Sequence, residues 1–136
     1  MKSLNLVAAL VGALLAGNGV YMLVQPDAWY QSLPSVPHTG PLNVHFVRDI
    51  GAAYLASGVG ILIGIWRPLW RTPAAIPAFV FIGLHAALHL VEWGHDHPAS
   101  SHEGWFDRFG LYAPALFLLY WMWMRPRENV QENSHG

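Results

Sequence analysis

The sequence predicts an all-α fold: a four-transmembrane-helix bundle running up-down-up-down, with both termini cytoplasmic. Three observations predict it. Four apolar stretches, about residues 4–24, 42–66, 73–93 and 105–124, each reach the roughly 20 residues a helix needs to cross a hydrocarbon core. Lys2, Arg67, Arg71, Arg125 and Arg127 gather at one end of the implied bundle, leaving Arg48 and Arg108 toward the other, and basic residues favour the cytoplasmic side. Tryptophans mark the ends of the spans, Trp29, Trp93 and Trp105 at the outer boundary and Trp66, Trp70, Trp121 and Trp123 at the inner one, as an interfacial belt requires.

Along the chain, Lys2 followed by an apolar run resembles the start of a secretory signal. No A-x-A-like cleavage site follows, however, and the run continues past Val20 to a full span, so a retained first helix is expected. Ala8, Gly12 and Ala16 recur every four residues, as do Ala9, Ala13 and Gly17; in the second helix Ala52, Ala56, Gly60 and Gly64 form a similar stripe. Small residues at this spacing let membrane helices approach, within the bundle or across a dimer face. The connector QPDAWYQSLPSVPHTGP is expected to be a stiff outer flap, with Trp29, Tyr30 and His38 either roofing a site or anchoring the interface. Pro73 and Pro77 suit the opening turn of the third helix, and Pro114 should kink the fourth. Residues 1–125 thus form one membrane domain and 126–136 a short cytoplasmic polar tail.

Composition excludes several functions. A chain that is 54% hydrophobic and 11% charged leaves no room for a separate soluble domain, and a formal charge of −1 gives no nucleic-acid signature. The absence of cysteine removes disulfides, thiolate ligands, iron–sulfur clusters and thiol redox chemistry, so any metal must be held by nitrogen and oxygen donors. Ser57 lies in a helix without a nucleophile elbow, and no phosphate-binding loop is present. No catalytic residue is assigned.

Ionisable residues inside a span are costly and mark function by default. His45, Arg48 and Asp49 lie at i, i+3 and i+4 on the second helix; His85, His89 and Glu92 are spaced by four and three on the third. At about 1.5 Å per residue, Asp49 lies about 9 Å below the outer surface, His85 about 12 Å and His89 about 6 Å. If the two helices are neighbours, the triads meet in one outward-opening site.

Three readings follow. His85, His89 and Glu92, completed by His45 or Asp49, suit a transition metal ion such as Cu, Zn or Fe, with Arg48 holding Asp49 from behind. Alternatively His45 and one of His85 or His89 are axial ligands of haem b. In the third, Arg48 pairs with Asp49 or Glu92 and the histidines fix packing, in an accessory or assembly subunit that contacts a membrane-protein partner or another copy of the chain. His95, His97 and His102, in the loop GHDHPASSHEG above the cluster, either feed ions to it or solvate the helix ends.

The segments TGPLNVHFVRDIGAAYLASGVG and HAALHLVEWGHDH resemble small DoxX-like four-helix proteins of the bacterial inner membrane. The resemblance spans most of residues 10–95, and its matching polar positions are His45, Arg48, Asp49, His85 and His89. It implies a four-helix bundle in the lipid bilayer and, since some DoxX-type proteins are associated with quinone-linked oxidation, a small quinone-linked redox protein as a further functional class.

Overall fold

The structure, a computed structural model, describes residues 2–33, 36–96 and 108–124, without the side chains of 38, 39, 92–96 and 108. It is helical: α1 (Lys2–Val24), α2 (Pro26–Ser32), a 3₁₀ turn (Val36–Thr39), α3 (Val44–Trp66), a second 3₁₀ turn (Pro68–Trp70), α4 (Arg71–Asp96), a π-helical turn (Arg108–Tyr112) and α5 (Ala113–Trp123). No strand occurs among the described residues. Three stretches, Lys2–Val24, Val44–Trp66 and Pro68–Val91, are long and apolar enough to cross a membrane, and Phe109–Trp123 is a shorter apolar helix. The protein is a helical membrane protein. The tail at 126–136 lies outside the described residues.

The principal seam joins α1 to α3. The buried residues of α1 are Ala8, Gly12, Leu15, Gly19 and Met22, and the matching set on α3 includes Val47, Gly51, Tyr54, Gly58 and Ile61. Both sets advance by four, three, four and three residues, the repeat of a left-handed antiparallel pair rather than of a straight four-residue stripe. A side chain on Gly58 would meet the Gly12 carbonyl oxygen and the Ala16 amide, and one on Gly51 would come within 2.7 Å of the Met22 Cβ. Glycine is needed there because backbone meets backbone.

The stripe of Ala8, Gly12 and Ala16 packs on this seam, as expected, whereas the other four-residue stripes require correction. Ala52 and Ala56 are exposed, and a side chain on Gly17 would meet nothing; Gly60 and Gly64 do pack, against Ala74 and against Arg71 with Trp121. The 3.5-residue repeat, not the four-residue one, selects the buried face.

Helix ends follow local chemistry. Asn43 caps α3 by accepting the Phe46 amide at 3.1 Å. Pro73 falls in the opening turn of α4 and Pro77 inside the helix, where its missing N–H leaves the Pro73 carbonyl without an intrahelical donor. Pro114 cannot donate to the Gly110 carbonyl, and its ring crowds that oxygen; the wider π turn at Arg108–Tyr112 accommodates it where a simple kink was expected.

Arg71 ties the other end of the bundle. It is 4% exposed, donates from Nη1 to the Met124 carbonyl at 2.8 Å and from Nη2 to Asn5 Oδ1 at 3.1 Å, and lies over the Trp121 ring at 5.0 Å. One guanidinium thus joins α1, α4 and the end of α5, where a cation also opposes the helix dipole. Trp121 is fully buried and belongs to the core, not to the expected interfacial belt; Trp66, Trp70 and Trp123 are exposed.

Candidate functional site

The seam between α3 and α4 carries the polar aromatic groups. α4 buries Ala75, Ala78, Ile82 and Ala86, and His85 and His89 flank this stripe half-buried. Phe81, His85 and His89 follow one another by single turns, so their rings form a ladder along one side of the helix. Phe81 and His85 are 6.0 Å apart between centroids, and His85 and His89 are 5.0 Å apart at 43°. Across the seam Tyr54, only 8% exposed, meets Phe81 edge-on at 5.1 Å and His85 at 6.1 Å and 77°. Edge-to-face contact sets the positive rim of one ring against the negative face of the next. The orientation of His85 is thereby fixed from α3.

The second helix turns its own polar residues elsewhere. Tyr54 follows His45 by nine residues, which at about 100° per residue puts the two on opposite sides of α3. His45 Nε2 and Asp49 Oδ2 lie 3.4 Å apart on the exposed side, the two side chains being 88% and 62% exposed. Among the described residues no three histidine or carboxylate groups come together. The expected union of His45 and Asp49 with His85 and His89 is not formed. The reason is the helical phase: the 3.5-residue seam buries the Tyr54 face, not the His45 face. The same phase keeps His45 from facing His85 or His89 across an axial haem position.

Arg48 is likewise corrected. Its Nε donates to the Leu23 carbonyl at 3.2 Å, at the C-terminal end of α1, instead of holding Asp49. A cation suits the exposed carbonyls of a helix end. Glu92 and His95 are carried by the continuous backbone of α4, which runs on to Asp96, but their side chains lie outside the described residues, as do His97 and His102 entirely.

The outer connector sits on α1 and α3. Trp29 Nε1 donates to Asn18 Oδ1 at 3.0 Å, and the Tyr30 hydroxyl donates to the Gly40 carbonyl. Both flap aromatics are thus committed to structural partners and do not roof the histidine pair; the His38 side chain lies outside the described residues. The residue missed from sequence is Tyr54. Its position on the 47, 51, 54, 58, 61 repeat was the available signal.

An all-helical membrane protein with a half-buried imidazole pair inside one span is the class these features define. Residues 6–102 match the model of the DoxX-like family, and the chain belongs to that family. No curated protein and no solved structure matches it at a significant level.

Proposed function

We propose that this protein binds one transition metal ion, Cu, Zn or Fe, through His85 and His89, from the outer side of the bacterial inner membrane. The observation that carries the reading is the 5.0 Å between the two ring centroids. Two imidazoles that share one tetrahedral ion, each nitrogen about 2.0–2.1 Å away, have centroids about 5 Å apart. Glu92 follows His89 by three residues on the same uninterrupted helix, the spacing from which a carboxylate adds a third donor. Tyr54 supplies orientation, and further coordination positions stay open to an exchangeable ligand. His45 and Asp49 take no part.

The orientation rests on charge. Lys2, Arg67 and Arg71 belong to the end opposite the histidines, and this supports a cytoplasmic position for that end. A cysteine replacing the exposed Leu69 should then resist an impermeant thiol reagent on intact spheroplasts and react after lysis; reaction before lysis reverses the assignment.

Elemental analysis of untagged protein tests the metal reading. About one ion per chain should be present in the wild type and in His45→Ala, and absent from His85→Ala and His89→Ala. Metal-free wild type after reconstitution, or loss in His45→Ala alone, rejects it.

A second reading has an observation of its own: the exposed His45–Asp49 pair, with exposed Ala52 and Ala56 further along α3, presents a polar and small-residue face. An accessory subunit would use such a face against a membrane-protein partner or a second copy. A shift in native-gel mobility on His45→Ala with Asp49→Ala, metal content unchanged, favours it.

A further inference from the structure

Among the described residues, the end of the bundle formed by the start of α1, the end of α3, the start of α4 and the end of α5 carries cations without anions. Lys2, Arg67 and Arg71 lie there among the described residues, whereas the described aspartate side chains, Asp27 and Asp49, belong to the opposite end. The cations have different fates. Arg71 is enclosed, its two terminal nitrogens donating to Asn5 and the Met124 carbonyl and its guanidinium lying over Trp121. Arg67 is exposed, has no ion pair among the described residues, and rests its guanidinium over the Trp66 ring at 5.1 Å.

Beside it along the chain stand exposed apolar groups that form a collar: Trp66 at 77%, Leu69 at 84% and Trp70 at 62%. The Pro68–Trp70 turn holds two of these beside Arg67 at the mouth of the α3–α4 connection. A guanidinium bordered by indoles and leucine at the end of membrane spans matches a ligand with a phosphate joined to hydrocarbon. A free anion would neutralise the charge and leave the collar wet. A second copy would bring Arg67 and Lys2 against their equivalents.

We propose that Arg67, assisted by Lys2, binds the phosphate of an anionic phospholipid of the phosphatidylglycerol class, whose glycerol and upper acyl chains pack on Trp66, Leu69 and Trp70. Guanidinium offers paired donors to phosphate oxygens, and each basic group near an anionic bilayer surface favours the charged lipid roughly fivefold. Tryptophan at this level packs its ring on the acyl boundary while its N–H stays with the headgroups.

The test is lipid retention by the full chain. Protein reconstituted in nanodiscs of phosphatidylcholine and phosphatidylglycerol in equal amounts is released into detergent, and bound lipid is counted by native mass spectrometry. Phosphatidylglycerol should be retained several-fold over phosphatidylcholine. The preference should shrink roughly fivefold in Arg67→Gln, survive in Arg67→Lys and in His45→Gln at the opposite end, and weaken in high salt. Arg67 is exposed, so these variants keep the fold, which circular dichroism checks. Equal retention of the two lipids overturns the proposal, as does an undiminished preference in Arg67→Gln. Thermal stabilisation by inorganic phosphate alone, equal to that by phosphatidylglycerol, also overturns it, since the surface would then recognise the anion and not the lipid.

Discussion

Tyr54 of α3 meets the ring of His85 of α4 nearly edge-on, their centroids 6.1 Å apart and their planes at 77°. The contact matters because it makes the aim of an α4 imidazole depend on α3, although α3 turns its own histidine away. Through His85 the same constraint reaches His89, one turn further along. The site is therefore a ladder on one helix, braced by one ring from its neighbour.

Removing the brace should cost both stability and ligand affinity. Tyr54→Leu loses two edge-on contacts, each about 0.5–1.5 kcal/mol, so a loss of about 1–3 kcal/mol is expected in thermal or denaturant unfolding. Metal affinity should fall about tenfold or more, as when a group that orients a ligand is removed. Unchanged affinity with reduced stability would confine Tyr54 to packing.

The opposed faces of α3 can be checked by chemistry, since the chain has no cysteine of its own. A short bifunctional thiol reagent should join Tyr54→Cys to Phe81→Cys, whose parent rings are 5.1 Å apart. It should not join His45→Cys to His85→Cys. Efficient cross-linking of the second pair would restore a shared site.

One substitution should have opposite signs at two glycines. Gly17→Ala adds a methyl group where nothing lies within 4 Å and gains helix propensity, up to about 1 kcal/mol. Gly58→Ala drives a methyl group into the backbone of α1 at Gly12 and Ala16, and should cost about 1–3 kcal/mol by separating the helices. Melting temperatures of the two variants in one detergent decide it; equal effects would mean that the α1–α3 seam is loose.

Arg71 should outweigh Arg67 in stability. Arg71→Gln removes charge-assisted bonds to Asn5 and to the Met124 carbonyl and the contact with Trp121, a loss of about 2 kcal/mol or more. Arg67→Gln removes only an exposed contact with Trp66 and should change unfolding in detergent by less than about 0.5 kcal/mol. The reverse ranking would show that the basic end is held together differently.

The spans were legible because apolar length is a strong signal, and three of the four stretches recur as full-length helices. The same sequence concealed the helical phase. Ala52, Ala56, Gly60 and Gly64 look like a packing stripe, yet a four-residue repeat drifts around the helix while Gly51, Tyr54 and Gly58 stay on the seam. That drift moved His45 and Asp49 outward and left His85 and His89 without them. Side and depth were read from distance along the chain; which face is buried depends on the partner helix. Trp121 shows the same limit, since its place at a span end suggested the interface and only the fold revealed Arg71 lying over it.

The central claim is that His85 and His89 share one metal ion, and electron paramagnetic resonance of the Cu(II)-loaded protein tests it most directly. The wild type and His45→Ala should each show hyperfine coupling to two imidazole nitrogens from one Cu(II) per chain; His85→Ala and His89→Ala should each lose one nitrogen and bind far more weakly. Lowering the pH should release the ion, because protons compete for the same nitrogens. A spectrum of free Cu(II), or two-nitrogen coupling that survives both alanine variants, would contradict the account.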